Sequence, residues 1–281
     1  MPASGWPGSR TWWSRLRPRT RPRLPTRSGL PERSQSHVWD AETIQFSRYL
    51  DAGFSAPTRY NFDKVRSPFP LDDWGSSQRQ CDVLASQANQ LLRFGRLDQR
   101  RTLPLRSQDV VQRYRNLAGV RKWGDENDHG LSAWYAMKKW HQEGWRLKDK
   151  NYKTILYGEI EPNERALLRT AIYIFRGVHM GFWLPRTAEM LIEWKYNGEM
   201  DEDWKPGSLG GIMAYCNSYD EHGYEIMYAG QRIYVTNEFA ERFSDEVWIC
   251  LESLDYWARQ VLDMQALLMV RPSLANYLRE E

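Results

Sequence analysis

An α+β fold, with a helical layer laid down first and an antiparallel sheet after it, is the prediction for this chain. Three observations carry it. Helix-period apolar stripes dominate residues 81–175, and short aromatic and β-branched runs bounded by turn residues dominate 178–252. Between two of those runs, Asp220-Glu221-His222-Gly223 reads as a hairpin turn in which Gly223 supplies a positive φ.

Each element follows from its local pattern. Residues 41–50 are a short helical candidate, and the proline- and aspartate-bearing stretch 57–75 is expected to lie extended over the surface. Residues 81–94 are amphipathic, with Val83, Leu84, Ala88, Leu91 and Leu92 on a helical stripe. A second helix begins at Ser107, ahead of Asp109-Val110-Val111, and ends at Gly119. A third, 131–143, carries Trp134, Met137 and Trp140 on one face and stops at Gly144. A fourth, 162–175, takes Pro162 into its first turn and buries a stripe of Leu167, Leu168, Ala171 and Ile172. Strands are expected at 178–184, 212–219, 224–228, 232–235 and 246–252. A short helix at 237–243, capped by Thr236 or Asn237, and a closing helix at 253–268 complete the set.

Composition sets the class. Hydrophobic residues make up 41% of the chain and include fourteen tryptophans, enough for a sizeable core. Residues 38–281 contain no proline- or serine-rich linker, so they are read as a single domain behind a tail, 1–37. No apolar run approaches the ~18 residues of a membrane helix, and the tail lacks the apolar core of a secretory signal. A cytoplasmic protein is the expectation.

The net charge of +3 hides an uneven distribution. Residues 1–34 hold eight arginines and one glutamate, so the remainder, with 31 basic and 35 acidic side chains, is mildly acidic. The basic tail, with Trp12-Trp13, is compatible with an anionic partner such as a nucleic acid, with organelle targeting, or with plain disorder. Cys81, Cys216 and Cys250 show no CxxC spacing, so neither a disulfide framework nor a zinc site is indicated. Cys216 and Cys250 read as small buried hydrophobes in strands. The acidic clusters at 199–203 and 125–128 read as a solvated loop and a weak calcium-loop start. No P-loop, dinucleotide fingerprint, HExxH or GxSxG is present, and no cofactor or metal is expected.

Several features in order resemble the papain-like cysteine peptidase superfamily, in particular its bacterial and phage members. A proline-containing connection leads to Cys81 at the head of a helix; Asp128-His129-Gly130 opens another that ends in Trp140-His141-Gln142-Glu143-Gly144-Trp145. Gly177-Val178 opens a strand, Gly210-Gly211 enters the next, and the Tyr219-Asp220 to Gly223 hairpin, Gly230 and Asp245-Glu246-Val247-Trp248 follow. The likeness spans residues 72–254. It implies a cysteine nucleophile at Cys81, where a helix N-terminus favours a thiolate. The same likeness puts the histidine base at Ile212, or Gly211 with a one-residue slip, and the orienting residue at Met227 or Tyr228. Gly75 stands six residues before the cysteine, where the family's oxyanion-hole glutamine is expected; Gln78 and Gln80 are out of register.

A thiol without a base is a poor nucleophile, and loss of such a base costs about 10⁴–10⁶ in turnover. The expectation is therefore a non-catalytic protein on a degenerate papain-like fold, binding a protein partner in a phage or prophage setting. The alternative is an active cysteine hydrolase in which His179, on the neighbouring strand, serves Cys81 as a relocated base. His222, ten residues beyond Ile212, is too far at about 3.3 Å per residue, and His129 and His141 read as helix-boundary residues.

Overall fold

The computed structural model describes residues 43–278, apart from 51–52, 66–68, 70, 99–101, 123–127, 149, 192, 200, 253–258 and 260. The Arg-rich tail, the acidic stretch at 125–127 and most of the first turns expected of a closing helix lie outside the described residues. The fold is α+β. Its main sheet runs β1 (Ile44–Gln45), β5 (Leu156–Ile160), β10 (Ser244–Leu251), β6 (Val178–Leu184), β7 (Gly210–Tyr219), β8 (Gly223–Tyr228), β9 (Gln231–Thr236), with β2 (Tyr60–Asn61) paired to the end of β7. All pairings are antiparallel except β1 with β5. A separate hairpin joins β3 (Trp145–Leu147) to β4 (Lys150–Tyr152).

Helices cover both faces. On one lie α2 (Asp82–Asp98), α3 (Ser107–Ala118) and α4 (Ala133–Gln142); on the other lie α5 (Arg165–Ile174), α6 (Asn237–Phe243) and α7 (Met264–Val270). The period of two along each strand sorts the core accordingly. Ile212, Ala214 and Cys216 of β7 pack with α5 and α6, whereas Met213 faces the α2 layer. Gly119 ends α3 at φ 70° and Gly144 follows α4 at φ 79°, the left-handed stops expected of them. Thr236 caps α6 by accepting from the Phe239 N–H.

Four local expectations change. The helical candidate at 41–50 is, from Thr43 on, the edge strand β1 and a 3-10 turn, Phe46–Arg48, because pairing with β5 supplies Ile44 and Gln45 with a sheet partner. The connection at 57–75 is not merely superficial: it forms β2 and α1 (Phe62–Val65) and buries Phe62, Asp63, Phe69 and Trp74. Strands β3, β4 and β5 precede α5; β3 and β4, three residues each, are too short to show a period, and β5 is buried on both faces and so does not alternate. Gly223 does not take a positive φ; a Cβ there would lie 2.2 Å from the Val235 carbonyl oxygen, so space rather than conformation selects glycine. The left-handed hairpin residues are Ala229 and Gly230, between β8 and β9.

The helix that organises the molecule is α2. Its apolar stripe meets α3 and α4 in one cluster with Leu103, Val110, Tyr114 and Trp140. The polar stripe on the opposite side, Asp82, Ser86, Asn89, Gln90 and Arg93, is also buried, against the sheet. Arg93 is fully enclosed and makes a two-pronged pair with Asp63, Nε to Oδ1 at 2.9 Å and NH2 to Oδ2 at 2.6 Å. Asn217 of β7 donates to the same carboxylate at 2.8 Å, and Arg232 of β9 bonds it too, while holding Glu225 at 2.7 Å. Burial alone would raise the Asp63 carboxyl, but the hydrogen bonds and charges of Arg93 and Arg232 prevail and hold it below the ordinary range.

Removing one member of a buried pair strands the other without solvent. Asp63→Asn is expected to destabilise the fold by about 3–5 kcal/mol in urea unfolding, whereas replacing Arg93 and Asp63 together by apolar side chains should recover much of that loss. Equal losses for the single and double variants would show that the pair is not the origin of the effect.

Candidate functional site

The approach to Cys81 is a strained turn. Trp74, at φ 54°, and Gly75, at φ 81°, are consecutive left-handed residues. Asp72 accepts from the Trp74 N–H at 2.8 Å and Asp73 from the Gly75 N–H at 2.9 Å, so two aspartate side chains hold the turn. A Cβ on Gly75 would sit 2.6 Å from Val111 Cγ2, which leaves no room for a glutamine side chain at that position. The turn aims the Trp74 carbonyl at the cysteine, and Cys81 Sγ–H donates to it at 3.7 Å. The Trp74 indole N–H reaches Asn89 Oδ1 at 3.3 Å.

Cys81 immediately precedes the first residue of α2, as the pattern predicts, and its carbonyl accepts from Ala85 N–H at 2.8 Å. It is only 1% exposed. Beside it, Asp82 Oδ2 accepts from the backbone N–H of Met213 at 2.7 Å. That bond ties the head of α2 to the middle of β7. The residue of the strand that packs in one buried cluster with the cysteine is Met213. Ile212, expected at the base position, belongs to the opposite face, a one-residue error that the period of two converts into a full inversion. Gly211 shares the Met213 face but has no side chain.

The crevice beside this junction is lined by Trp74, Asp82, Ser86, Met213, Met227 and Tyr228, among others, and its cavity volume is about 10 Å³. A cavity of that size holds a single water at most. Met227 and Tyr228 thus lie where the orienting residue was expected, and neither carries a carboxamide or carboxylate. Tyr114, behind the cysteine, donates to Asp128 at 2.8 Å and accepts from Gly130 N–H at 3.1 Å; burial first, then that bond to Asp128, push its phenol up and keep it neutral.

His179 does not serve Cys81. It is fully buried on the α2 face of β6, and both ring nitrogens are engaged further along the helix: Nδ1 with Ser86 Oγ and Nε2 with Gln90 Oε1, each at 2.6 Å. Gln90 spends its own N–H on the Cys250 carbonyl at 2.8 Å, which orients its oxygen toward the ring. Nε2–H therefore donates to Gln90 and Nδ1 accepts from the Ser86 hydroxyl. At 1.5 Å of rise per residue, Ser86 and Gln90 stand about 7 and 13 Å along α2 from the cysteine. The relocated-base arrangement is not made, since both ring nitrogens of His179 are bonded elsewhere. His141 Nδ1 meets the Thr154 carbonyl at 2.7 Å, and His222 lies on the hairpin turn.

The residues that sequence reasoning passed over are Trp74, Asp82, Ser86, Gln90 and the Arg93–Asp63 pair. Their one signal was spacing: 82, 86, 89, 90 and 93 recur at helical period, yet such a stripe is ordinarily assigned to solvent. The acidic cluster at 199–203 proves local. Asp201 caps the 3-10 turn Glu202–Trp204, Glu199 accepts from the Trp204 indole, and no metal-holding group occurs among the described residues. No helix among the described residues is long and apolar enough to cross a membrane.

The sequence matches no protein-family model and no curated protein. The fold does have likenesses. It is similar to xylellain, a cysteine protease from Xylella fastidiosa, with a TM-score of 0.58 at 13% identity over 82% of this chain and 97% of that one. It is similar to the Carica candamarcensis cysteine protease CMS1MS2, solved in complex with E-64, at 0.51 and 14% over 70% and 99%. Digestive procathepsin L 3 of Tenebrio molitor larval midgut gives 0.52 and 8% over 75% and 74%. The chain has the papain-like fold.

Burial lowers the His179 pKa from 6.5 to about 3, so the native state holds the ring neutral while the unfolded chain protonates it below about 6.5. The unfolded state then binds more protons as pH falls. Stability from this site is complete above about pH 7.5 and is lost toward about pH 3, with a slope that reaches about 1.4 kcal/mol per pH unit below about pH 5.5. Urea unfolding between about pH 5.5 and about pH 4 should show that slope, and His179→Phe, though less stable, should flatten it. An unchanged slope in the variant would place the titration elsewhere.

Proposed function

We propose that this chain is a non-catalytic protein on the papain-like fold, acting as a binding or structural component through contacts with a protein partner. The observation that carries the reading is Met213. A thioether stands on the strand face that looks toward Cys81, one residue past the Ile212 to which the resemblance assigns the base, and a thioether takes no proton at neutral pH. Two further features support it. The cysteine S–H is directed at a backbone carbonyl, and the adjoining crevice, about 10 Å³, holds a single water at most. The reading extends to a bacterial or phage setting, with the chain as an accessory or virion component. An anionic partner for the basic tail belongs to the same proposal, since its eight arginines are a phosphate-binding composition.

Turnover decides the matter. Hydrolysis of a pool of fluorogenic peptide amides by the native protein should equal that of Cys81→Ala. In native buffer, iodoacetamide should modify Cys81 at least about 100-fold more slowly than in urea, because reaction waits on opening of the buried helix start. Hydrolysis that disappears in Cys81→Ala would overturn the proposal and return the chain to the cysteine hydrolases.

A further inference from the structure

The body of the chain is mildly acidic, but its charge is unevenly spread. Residues 138–153 carry six lysines and arginines against two acidic side chains, in a body of 31 basic and 35 acidic ones. This stretch is the C-terminal end of α4 followed by the β3–β4 hairpin. The hairpin sorts its residues by face. Trp145, Leu147 and Tyr152 are buried, whereas Arg146, Lys148, Lys150 and Asn151 are exposed.

Not every cation of this stretch is available. Lys139 pairs with Glu143 at 2.5 Å, and Lys153 donates to the Gln142 carbonyl at 2.5 Å. Arg146 and Lys148, by contrast, make no hydrogen bond or ion pair among the described residues, and the Lys150 ammonium lies over the Tyr152 ring at 5.1 Å. Lys148 stands at φ 51°, a left-handed position that glycine adopts without strain and a lysine does not. The platform beneath these cations is fixed at four points. The Trp140 indole donates to the Tyr152 carbonyl at 3.0 Å, the Trp145 indole to Gln87 Oε1 at 3.0 Å, and the Asn151 amide to the Glu143 carbonyl at 2.7 Å, while the Arg113 guanidinium stacks on Trp145 at 4.8 Å. Charges presented on a fixed platform lose little freedom when a partner arrives.

The chemistry of the exposed face selects the partner. The hairpin's apolar side chains are all turned inward, so its outer face lacks the anchors around which a protein–protein interface forms its core. Its aromatic rings are buried too, which leaves no platform on which unpaired bases stack. What remains outside is repeated positive charge, and that recognises the phosphates of a duplex through release of their counterions. We propose that the β3–β4 hairpin is a basic wing that binds the phosphate backbone of a nucleic-acid duplex through Arg146, Lys148 and Lys150, without regard to base sequence. The wing belongs to the folded body and not to the basic tail, and it uses nothing of the Cys81 site.

The probe is a mixed-sequence DNA duplex of about 20 base pairs, titrated with the full chain by fluorescence anisotropy between about 50 and 200 mM NaCl. Each phosphate contact contributes about 0.9 to the slope of log affinity against log salt. Arg146→Gln, Lys148→Gln and Lys150→Gln together should therefore reduce that slope by about 2.7 and weaken binding at about 100 mM salt by at least tenfold. Arg59→Gln, Arg186→Gln and Lys205→Gln, at cations also exposed, change the net charge equally and should leave the slope as it is. The tail is present in every chain, so a difference between the two triple variants belongs to the wing. Lys148→Gly removes one charge while relieving the left-handed strain; it should keep or raise the thermal midpoint and yet reduce the slope by about 0.9. This variant decides the matter if the triple wing variant unfolds. No duplex binding by the native chain, or equal losses in the wing and control variants, would overturn the proposal. So would a native slope in Lys148→Gly.

Discussion

Everything in this molecule is hung on one helix that is buried on all sides. Residues 81–95, the start and most of α2, lie out of solvent, although the run contains an aspartate, a serine, two glutamines, an asparagine and an arginine. Taking such groups from water is costly unless each finds a partner. Each does. Asp82 takes a backbone N–H of β7, Ser86 and Gln90 clamp His179 of β6, Gln87 accepts from the Trp145 indole, Asn89 accepts from the Trp74 indole, and Arg93 pairs with Asp63. The fastenings are spread over about 16 Å of helix. They fix both the rotation of α2 on the sheet and its position along the strands, which apolar packing alone would fix less sharply.

That docking also explains why the site is closed. Where the resemblance calls for a thiol facing an imidazole across a gap, the gap is bridged here by the Asp82 carboxylate and filled by Met213, Met227 and Tyr228. A reaction centre needs room for a substrate and donors left unsatisfied until one arrives. In this chain the β7 N–H nearest the helix head is already bonded, and the turn before Cys81 presents a carbonyl oxygen, an acceptor, toward the sulfur. The polarity is opposite to that which would stabilise a developing oxyanion.

Much of the fold was legible because its signals are local. Gly119 and Gly144 mark helix stops through a conformation other residues avoid, and the runs from Val178 to Leu251 are short, aromatic and β-branched and bounded by turn residues, as strands are. What escaped was decided by distant partners. Ile44 and Gln45 are a strand only because β5 lies beside them, and β3 and β4 are too short for a period to show. The site was legible to within a residue. Cys81 at a helix head is a local signal, but whether Ile212 or Met213 faces it depends on the register of β7 against β6 and β8, which no single strand encodes. His179 was the candidate base because it is the histidine on the adjoining strand; its true partners, Ser86 and Gln90, were hidden in a stripe that looks like a solvent face.

Met213 beside Asp82 packs the head of α2, while the Ser86–His179–Gln90 cluster holds the next turns. A histidine kept neutral and dry by burial is useless as a base, but as a hydrogen-bonded rivet it donates through Nε2 and accepts through Nδ1 without carrying charge into the core.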